Sequence, residues 1–340
     1  MTWCVALSGG FLRPDGTPAY PDFDVRPLEA CPGIELSRLP ARPVILPEDT
    51  AGLDALILLA EEFGASSIAP DGRLSLVARF GVGFDSVDTA ACTDAGVAVS
   101  ITPVAVRRPV AVAIITFMLA MAGRLMDKDR ITRLGPAGFA RRGEFMGTGL
   151  EGRVLGSLGL GNIGAEMFRL AAPFNMRFAA HDPHADRALA RSLGVELVGA
   201  EELFRTADVL ALNCPLNEET RGFVSASRLA SMKPTAFLVN TARGPIVDEA
   251  ALAAALEAGR LAGAGLDVFD PEPPAADAAI LRAPNVVAAP HALSWTDQGF
   301  AAIGAACVAA VKAARRGEAP ATLANPEVLR GAPRFRRRSG

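Results

Sequence analysis

From about residue 150 to residue 291 the chain alternates short β-branched or apolar runs with Ala-, Leu- and Glu-rich stretches whose apolar residues recur at helical spacing. The runs "RVLGSLGL", "MRFAAHD", "ADVLALNC", "AFLVNTA", "GAGLDVF" and "NVVAAPH" predict strands, and "AEMFRLAAPF", "ADRALARSLG" and "DEAALAAALEAG" predict helices between them. Repeated strand–helix units bury both faces of a sheet, so the pattern predicts an α/β fold with a doubly wound parallel sheet. The first hundred residues are patchier, with "DALILLA", "LSLVARF" and "GVAVSI" as strands of a second, smaller α/β lobe. After Trp295 the run "DQGFAAIGAACVAAVKAARRGEA" predicts a long helix. The longest apolar run, "PVAVAIITFMLAMAG" at 109 to 123, falls short of the ~20 residues of a bilayer crossing and predicts a buried helix. Helices over roughly 103 to 125 and 295 to 316 are expected to cross between the domains.

Composition narrows the class. The length of 340 residues suits two domains of ordinary size. With 34 basic against 37 acidic residues the net charge is −3, which argues against a broad nucleic-acid surface. The exception is "RFRRRSG", where Arg334, Arg336, Arg337 and Arg338 crowd together and predict a solvated, disordered tail. The five cysteines are scattered and never spaced as CxxC, so neither a disulfide framework nor a zinc site is expected, and a reducing cytoplasm fits. Residues 1 to 11 lack the basic and apolar regions of a signal peptide, and a soluble protein off the membrane is expected.

"GLGNIG" places Gly159, Gly161 and Gly164 in GxGxxG spacing between a strand and a helix. The first glycine permits a tight turn, the second admits a pyrophosphate to the backbone, and the third lets helix and strand pack closely. The phosphates would meet the N–H groups around Asn162 and Ile163. At the end of the next strand Asp182 can accept hydrogen bonds from ribose hydroxyls and repel a 2′-phosphate, which favours NAD over NADP. His181 and His184 flank it in "HDPH", but with no third candidate ligand nearby they read as loop histidines, and no metal is expected. Three further strand ends carry Arg243, Glu272 and His291, which parallel strands would deliver to one edge beside the nicotinamide. A guanidinium can clamp a carboxylate, a histidine can pass a proton to or from a carbonyl oxygen, and a carboxylate can orient that histidine.

These residues resemble the D-isomer-specific 2-hydroxyacid dehydrogenases, from about "DALILLA" to "NPEVL". The matching signatures are "GLGNIG" with Asp182, "LFRTADVLALNCPLNEETRGFV", "MKPTAFLVNTARGPIVD", "GLDVFDPEP" and the Pro290–His291 pair. The resemblance implies that Arg243, Glu272 and His291 are catalytic and that Asp267 holds the nicotinamide carboxamide. It also implies that Cys214 and Pro215 lie along the adenine pocket, that Thr241 and Ala242 line the cofactor, and that the amides of Val82 and Gly83 cradle the substrate carboxylate. A Rossmann cofactor domain over 104–291 is expected, with a discontinuous flavodoxin-like substrate domain over 1–103 and 292–330, a basic tail at 331–340, no regulatory domain after 330, and a homodimer formed through the cofactor domain.

Two departures refine the expectation. Where many relatives read "VAEH", this chain has Val112 and Ala113, a more apolar helix. Where phosphoglycerate-type members carry an arginine, it has Leu59 followed by Glu61 and Glu62, and losing a bidentate arginine removes a contact worth roughly 1.5 to 3 kcal/mol. Arg107 and Arg108 could restore it only if they reach substrate. Leu59, Phe84 and Trp295 could give the pocket an apolar wall. The expectation is an NAD-dependent oxidoreductase of a small unphosphorylated 2-hydroxy or 2-keto acid such as glyoxylate, hydroxypyruvate or a bulkier acid. The alternative is an NAD-sensing interaction protein like the corepressors of the same fold, marked by an NADH-dependent partner and negligible turnover. A relative acting on an inorganic anion such as phosphite is a third reading, against which Glu61 and Glu62 count.

Overall fold

The structure is a computed structural model that describes residues 2–337. Two compact units divide the chain: Met1–Val106 together with Trp295–Gly340, and Arg107–Ser294. Each boundary lies three residues beyond the one expected from sequence, because the helix Pro103–Ala122 gives its first turn to the smaller unit and the chain after His291 stays with the larger one as far as Ser294.

The smaller unit is built on five parallel strands, β1 (Trp3–Leu7), β2 (Ile34–Arg38), β3 (Ala55–Leu58), β4 (Leu76–Arg79) and β5 (Ala98–Ser100), in the order β2-β1-β3-β4-β5. β1 and β2 were not legible as strands. One sheet face packs on Ile45, Leu53, Phe63, Leu74 and Val97. Phe11, Tyr20, Phe23, Phe80, Trp295 and Phe300 form a separate aromatic cluster, with Trp295 edge-on to Tyr20 at 5.5 Å and to Phe300 at 5.3 Å.

The larger unit carries seven parallel strands: β6 (Val154–Leu158), β7 (Arg177–His181), β8 (Val195–Leu197), β9 (Val209–Leu212), β10 (Phe237–Asn240), β11 (Gly263–Leu266) and β12 (Val286–Ala288), in the order β12-β11-β10-β9-β6-β7-β8. Alternate residues feed opposite faces, as a strand requires. Leu158, Leu210, Leu212 and Leu238 join one core with Leu229, Leu252 and Leu256, whereas Leu155, Val209, Ala211 and Val239 join another with Phe117, Met118, Met167 and Phe168. The predicted doubly wound sheet is present.

Two expectations change. The helix Pro103–Ala122 has 20 residues and, by length and composition alone, could cross a membrane. It starts six residues upstream of the apolar run, within the 103 to 125 expected for it; there Arg107 and Arg108 pair with the buried Glu166, and its Ala111, Ile114, Phe117, Met118 and Met121 sit in the core. The same pairing gives those arginines a structural use. The other change is at the C-terminus, where Gly331–Arg337 is not a disordered tail. Phe335 is fully buried, Arg334 N–H donates to Gly96 O at 2.9 Å, and a short 3-10 turn spans Arg334–Arg337. The apolar ring between arginines supplies the anchor that a charge count misses. Arg338 and the last two residues lie outside the described residues.

A buried phenylalanine truncated to alanine costs about 3 to 5 kcal/mol. Phe335→Ala is therefore expected to lower the urea midpoint with m unchanged, whereas an unpacked tail would leave the midpoint where it was.

Candidate active site

Strand order in the larger sheet reverses between β6, which continues to β7, and β9, to which the chain returns. Loops leaving two such strands diverge to opposite faces and open a crevice at their carboxyl ends. Gly159 sits there with φ +95°, and a Cβ on it would lie 2.8 Å from Asn213 C and Cys214 N. The β6 and β9 loops touch because this residue has no side chain. A Cβ on Gly164 would lie 2.8 Å from Gly159 O, so the helix Asn162–Ala171 starts hard against the turn. No side chain caps that helix, which leaves the N-terminal amides at Gly161, Asn162 and Ile163 to an outside acceptor.

The β7 side of the crevice is already ordered. Asp182, at the end of β7, accepts from Leu160 N–H at 2.8 Å through Oδ2 and from His184 N–H at 2.8 Å through Oδ1, which fixes the carboxylate. His184 thus contributes its amide, and His181 Nδ1 contacts Val198 O at 3.1 Å. Cys214 lies within electrostatic reach of Asp182, and burial pushes its thiol up to about 11, so it is protonated at neutral pH and no nucleophile. Pro215 is exposed beside it. Asn213 Oδ1 and Thr241 Oγ1 are buried without a hydrogen-bond partner, although Asn213 Nδ2 donates to Ser157 Oγ at 2.9 Å. An uncapped helix end, a fixed carboxylate and two orphaned acceptors fit a dinucleotide.

Arg243 follows β10. Its turn is clamped by Asn240, whose Nδ2 donates to Arg243 O at 2.9 Å and whose Oδ1 accepts from Ala242 N–H at 3.0 Å, and Arg243 Nη1 donates to Ala242 O at 2.6 Å. Asn240 was not singled out from sequence; the signal was a lone amide closing the buried run "FLVN".

Glu272 and His291 meet directly, His291 Nδ1 to Glu272 Oε1 at 2.5 Å, with both side chains reaching solvent. His291 has φ +54°, a left-handed conformation uncommon for a residue other than glycine. Asp267 holds it there: its buried carboxylate accepts from Ala292 N–H at 2.9 Å and Leu293 N–H at 3.2 Å. This is a duty that the reading of Asp267 as a carboxamide anchor did not include. Burial raises the Asp267 pKa, with those amides and the His291 charge working against it. Burial also acts to raise Glu272, but the His291 hydrogen bond and charge, the Phe269 amide and the Arg243 charge outweigh it, and the net direction is down. Arg243, Glu272 and His291 are therefore one electrostatic group.

The remaining candidates belong to the smaller unit. Val82 and Gly83 are half-buried in the loop after β4, Phe84 is exposed, and Trp295 is 49% exposed at the edge of the aromatic cluster. Glu61 is buried, with Oε1 accepting from Gly10 N–H at 2.9 Å and Oε2 from Ala60 N–H at 3.0 Å, so its charge is spent on the backbone at the ends of β1 and β3.

Residues 115–292 match the family described as D-isomer specific 2-hydroxyacid dehydrogenase, NAD binding domain. The chain is 37% identical to a glyoxylate reductase of Korarchaeum cryptofilum over 86% of this chain and 89% of that one. It is 35% identical to D-3-phosphoglycerate dehydrogenase 2, chloroplastic, of Arabidopsis thaliana over 84% of this chain and 47% of the relative. Among solved structures, a glyoxylate reductase from Paecilomyes thermophila superposes with a TM-score of 0.81 at 27% identity, covering 96% of this chain and 99% of that one.

Removing the imidazole removes two of the influences that lower Glu272. In wild type the Glu272 carboxylate stabilises the fold above its unfolded pKa and loses that contribution as pH falls through its depressed folded value; in His291→Ala the loss moves to higher pH. A 13C titration of the Glu272 carboxyl is expected to show the midpoint rising in the variant. Equal midpoints would mean that the pair does not form in solution.

Proposed function

The chain belongs to the D-isomer-specific 2-hydroxyacid dehydrogenases and is a nicotinamide-dependent oxidoreductase, and on that premise we propose that it reduces small unphosphorylated 2-keto acids with NADH, His291 acting as the acid. The observation that carries the reading is the 2.5 Å His291–Glu272 pair beside Arg243, on the same sheet edge as the uncapped glycine turn. A bound dihydronicotinamide supplies the hydride. Arg243 pairs with the substrate carboxylate through its fork of N–H donors. His291 as imidazolium hands a proton to the carbonyl oxygen, and Glu272 holds the ring so that its other nitrogen faces outward. Asp267, Thr241 and Ala242 line the nicotinamide end, and Cys214 and Pro215 the adenine end.

Asp182 supports NAD: a 2′-phosphate brought to a carboxylate whose two oxygens are already fixed meets a charge that cannot turn away. The absence of an arginine at Leu59 supports an unphosphorylated acid. A homodimer is supported by Leu125, Met126, Leu134, Phe139 and Met146, all exposed along residues 125–146 of the larger unit. Five free cysteines suit a reducing cytoplasm.

NADH oxidation followed at 340 nm with glyoxylate, hydroxypyruvate, pyruvate, phenylpyruvate, 2-ketoisocaproate and 3-phosphohydroxypyruvate tests the reading. Turnover on an unphosphorylated acid is expected, falling on the order of 100-fold or more in His291→Ala; undiminished turnover in that variant, or preference for the phosphorylated acid, would overturn it. Asp182→Ala is expected to narrow the preference for NADH over NADPH by raising the affinity for NADPH, measured by fluorescence titration. Sedimentation of wild type against Leu134→Ser/Phe139→Ser should resolve dimer from monomer, and two identical profiles would exclude this surface.

A further inference from the structure

We propose that Glu249 is a positioning residue for the acid–base pair, a reading that rests on the assignment of His291 and Glu272 above. Glu272 stands on an exposed loop. Val268 and Phe269 at its start are buried, but Asp270, Pro271, Glu272 and Pro273 are exposed and have no core to fix them. Two links tie this stretch to a rigid element. At Gly244 the turn bearing Arg243 lies directly on the backbone of Phe269 and Asp270: a Cβ there would fall 1.8 Å from Phe269 O and 2.8 Å from Asp270 N. Just beyond, Asp270 N–H donates to Glu249 Oε2 at 3.2 Å.

Glu249 opens the helix Glu249–Glu257, whose preceding residue, Asp248, caps it by accepting from Ala251 N–H at 3.0 Å. The helix is anchored in the core by Leu252, Ala253, Ala255 and Leu256. The acceptor thus sits on a core-packed helix and adds a second hold on Asp270 beside the Gly244 turn. Two residues beyond the bonded amide, Glu272 reaches His291. Burial raises the pKa of Glu249, the bond from the Asp270 amide works against it and the Asp270 charge adds to it, so the carboxylate bears a desolvation that a purely solvated helix start would not carry. Without this bond the loop keeps its buried root at Phe269 and loses the hold on its tip, so the loss should fall on the chemical step and leave the cofactor in place.

The tests use the whole enzyme. Glu249→Met fills the same space on a strong helix former but offers no oxygen acceptor, and Glu249→Gln keeps one. Because a misplacement of about 1 Å can cost on the order of 100-fold, kcat is expected to drop roughly 10-fold or more in Glu249→Met, with the NADH Kd unchanged, and to return to within about 3-fold of wild type in Glu249→Gln. In an enzyme already carrying Glu272→Gln, adding Glu249→Met is expected to cost little more, since both changes act through the same imidazole. Equal losses in the Met and Gln variants, or losses that multiply with Glu272→Gln, would overturn the proposal, as would a Glu249→Met enzyme with wild-type kcat when His291→Ala is inactive. Undiminished turnover in His291→Ala would instead overturn the acid–base assignment itself. Should Glu249→Met not fold, Glu249→Ala takes its place in the cycle, and hydrogen exchange of the Asp270 amide in wild type decides independently of any variant: protection supports the bond, and free exchange refutes it.

Discussion

All seven strands of the larger sheet run in one direction, and the site follows from that. A parallel strand must return by a crossover, so every loop that leaves a carboxyl end emerges on the same edge. Gly159, Asp182, Cys214, Thr241, Arg243, Asp267 and His291 all follow strand ends, and six separate strands bring them to that edge. Only the β6–β9 reversal turns the edge into a crevice, and it closes as tightly as it does because Gly159 lets the backbone of Asn213 and Cys214 approach.

Charge is concentrated there and is compensated locally. Asp182 and Asp267 each accept two backbone amides, and Glu272 takes a histidine, a long bond from the Phe269 amide and the field of Arg243. Desolvated carboxylates are tolerated when fixed dipoles replace the water they lose. The same amides set geometry: Asp267 holds a left-handed histidine that no local preference would select. His291 is thus set by two carboxylates, Glu272 on its ring and Asp267 on the backbone that follows it.

Much of this was legible. Alternating strand and helix patterns placed six strands of the larger sheet, and a GxGxxG between strand and helix located the tight turn after β6, because burial on both faces and close backbone approach each impose a pattern on consecutive residues. β1, β2 and β8 were missed: "WCVAL", "IELSR" and "VEL" are short, and two of them carry charged residues on exposed positions. Phe335 was missed inside an arginine run. Asn240 and Glu249 were missed because each works through a backbone amide, and such a partner leaves no mark on composition.

The sequence by itself determined the fold class, the family and which strand ends carry ionisable groups, since these depend on periodicity and on residues near one another in the chain. The tertiary structure decided what those groups face. By sequence Glu61 counts against an inorganic anion such as phosphite, and in the fold it is spent on the amides of Gly10 and Ala60; by sequence Arg107 and Arg108 are open to substrate, and in the fold they are held by Glu166. Glu272 and His291, nineteen residues apart, share a hydrogen bond. Coulombic and hydrogen-bond partners act over a few ångströms of space, and only the folded path of the backbone brings distant residues within that range.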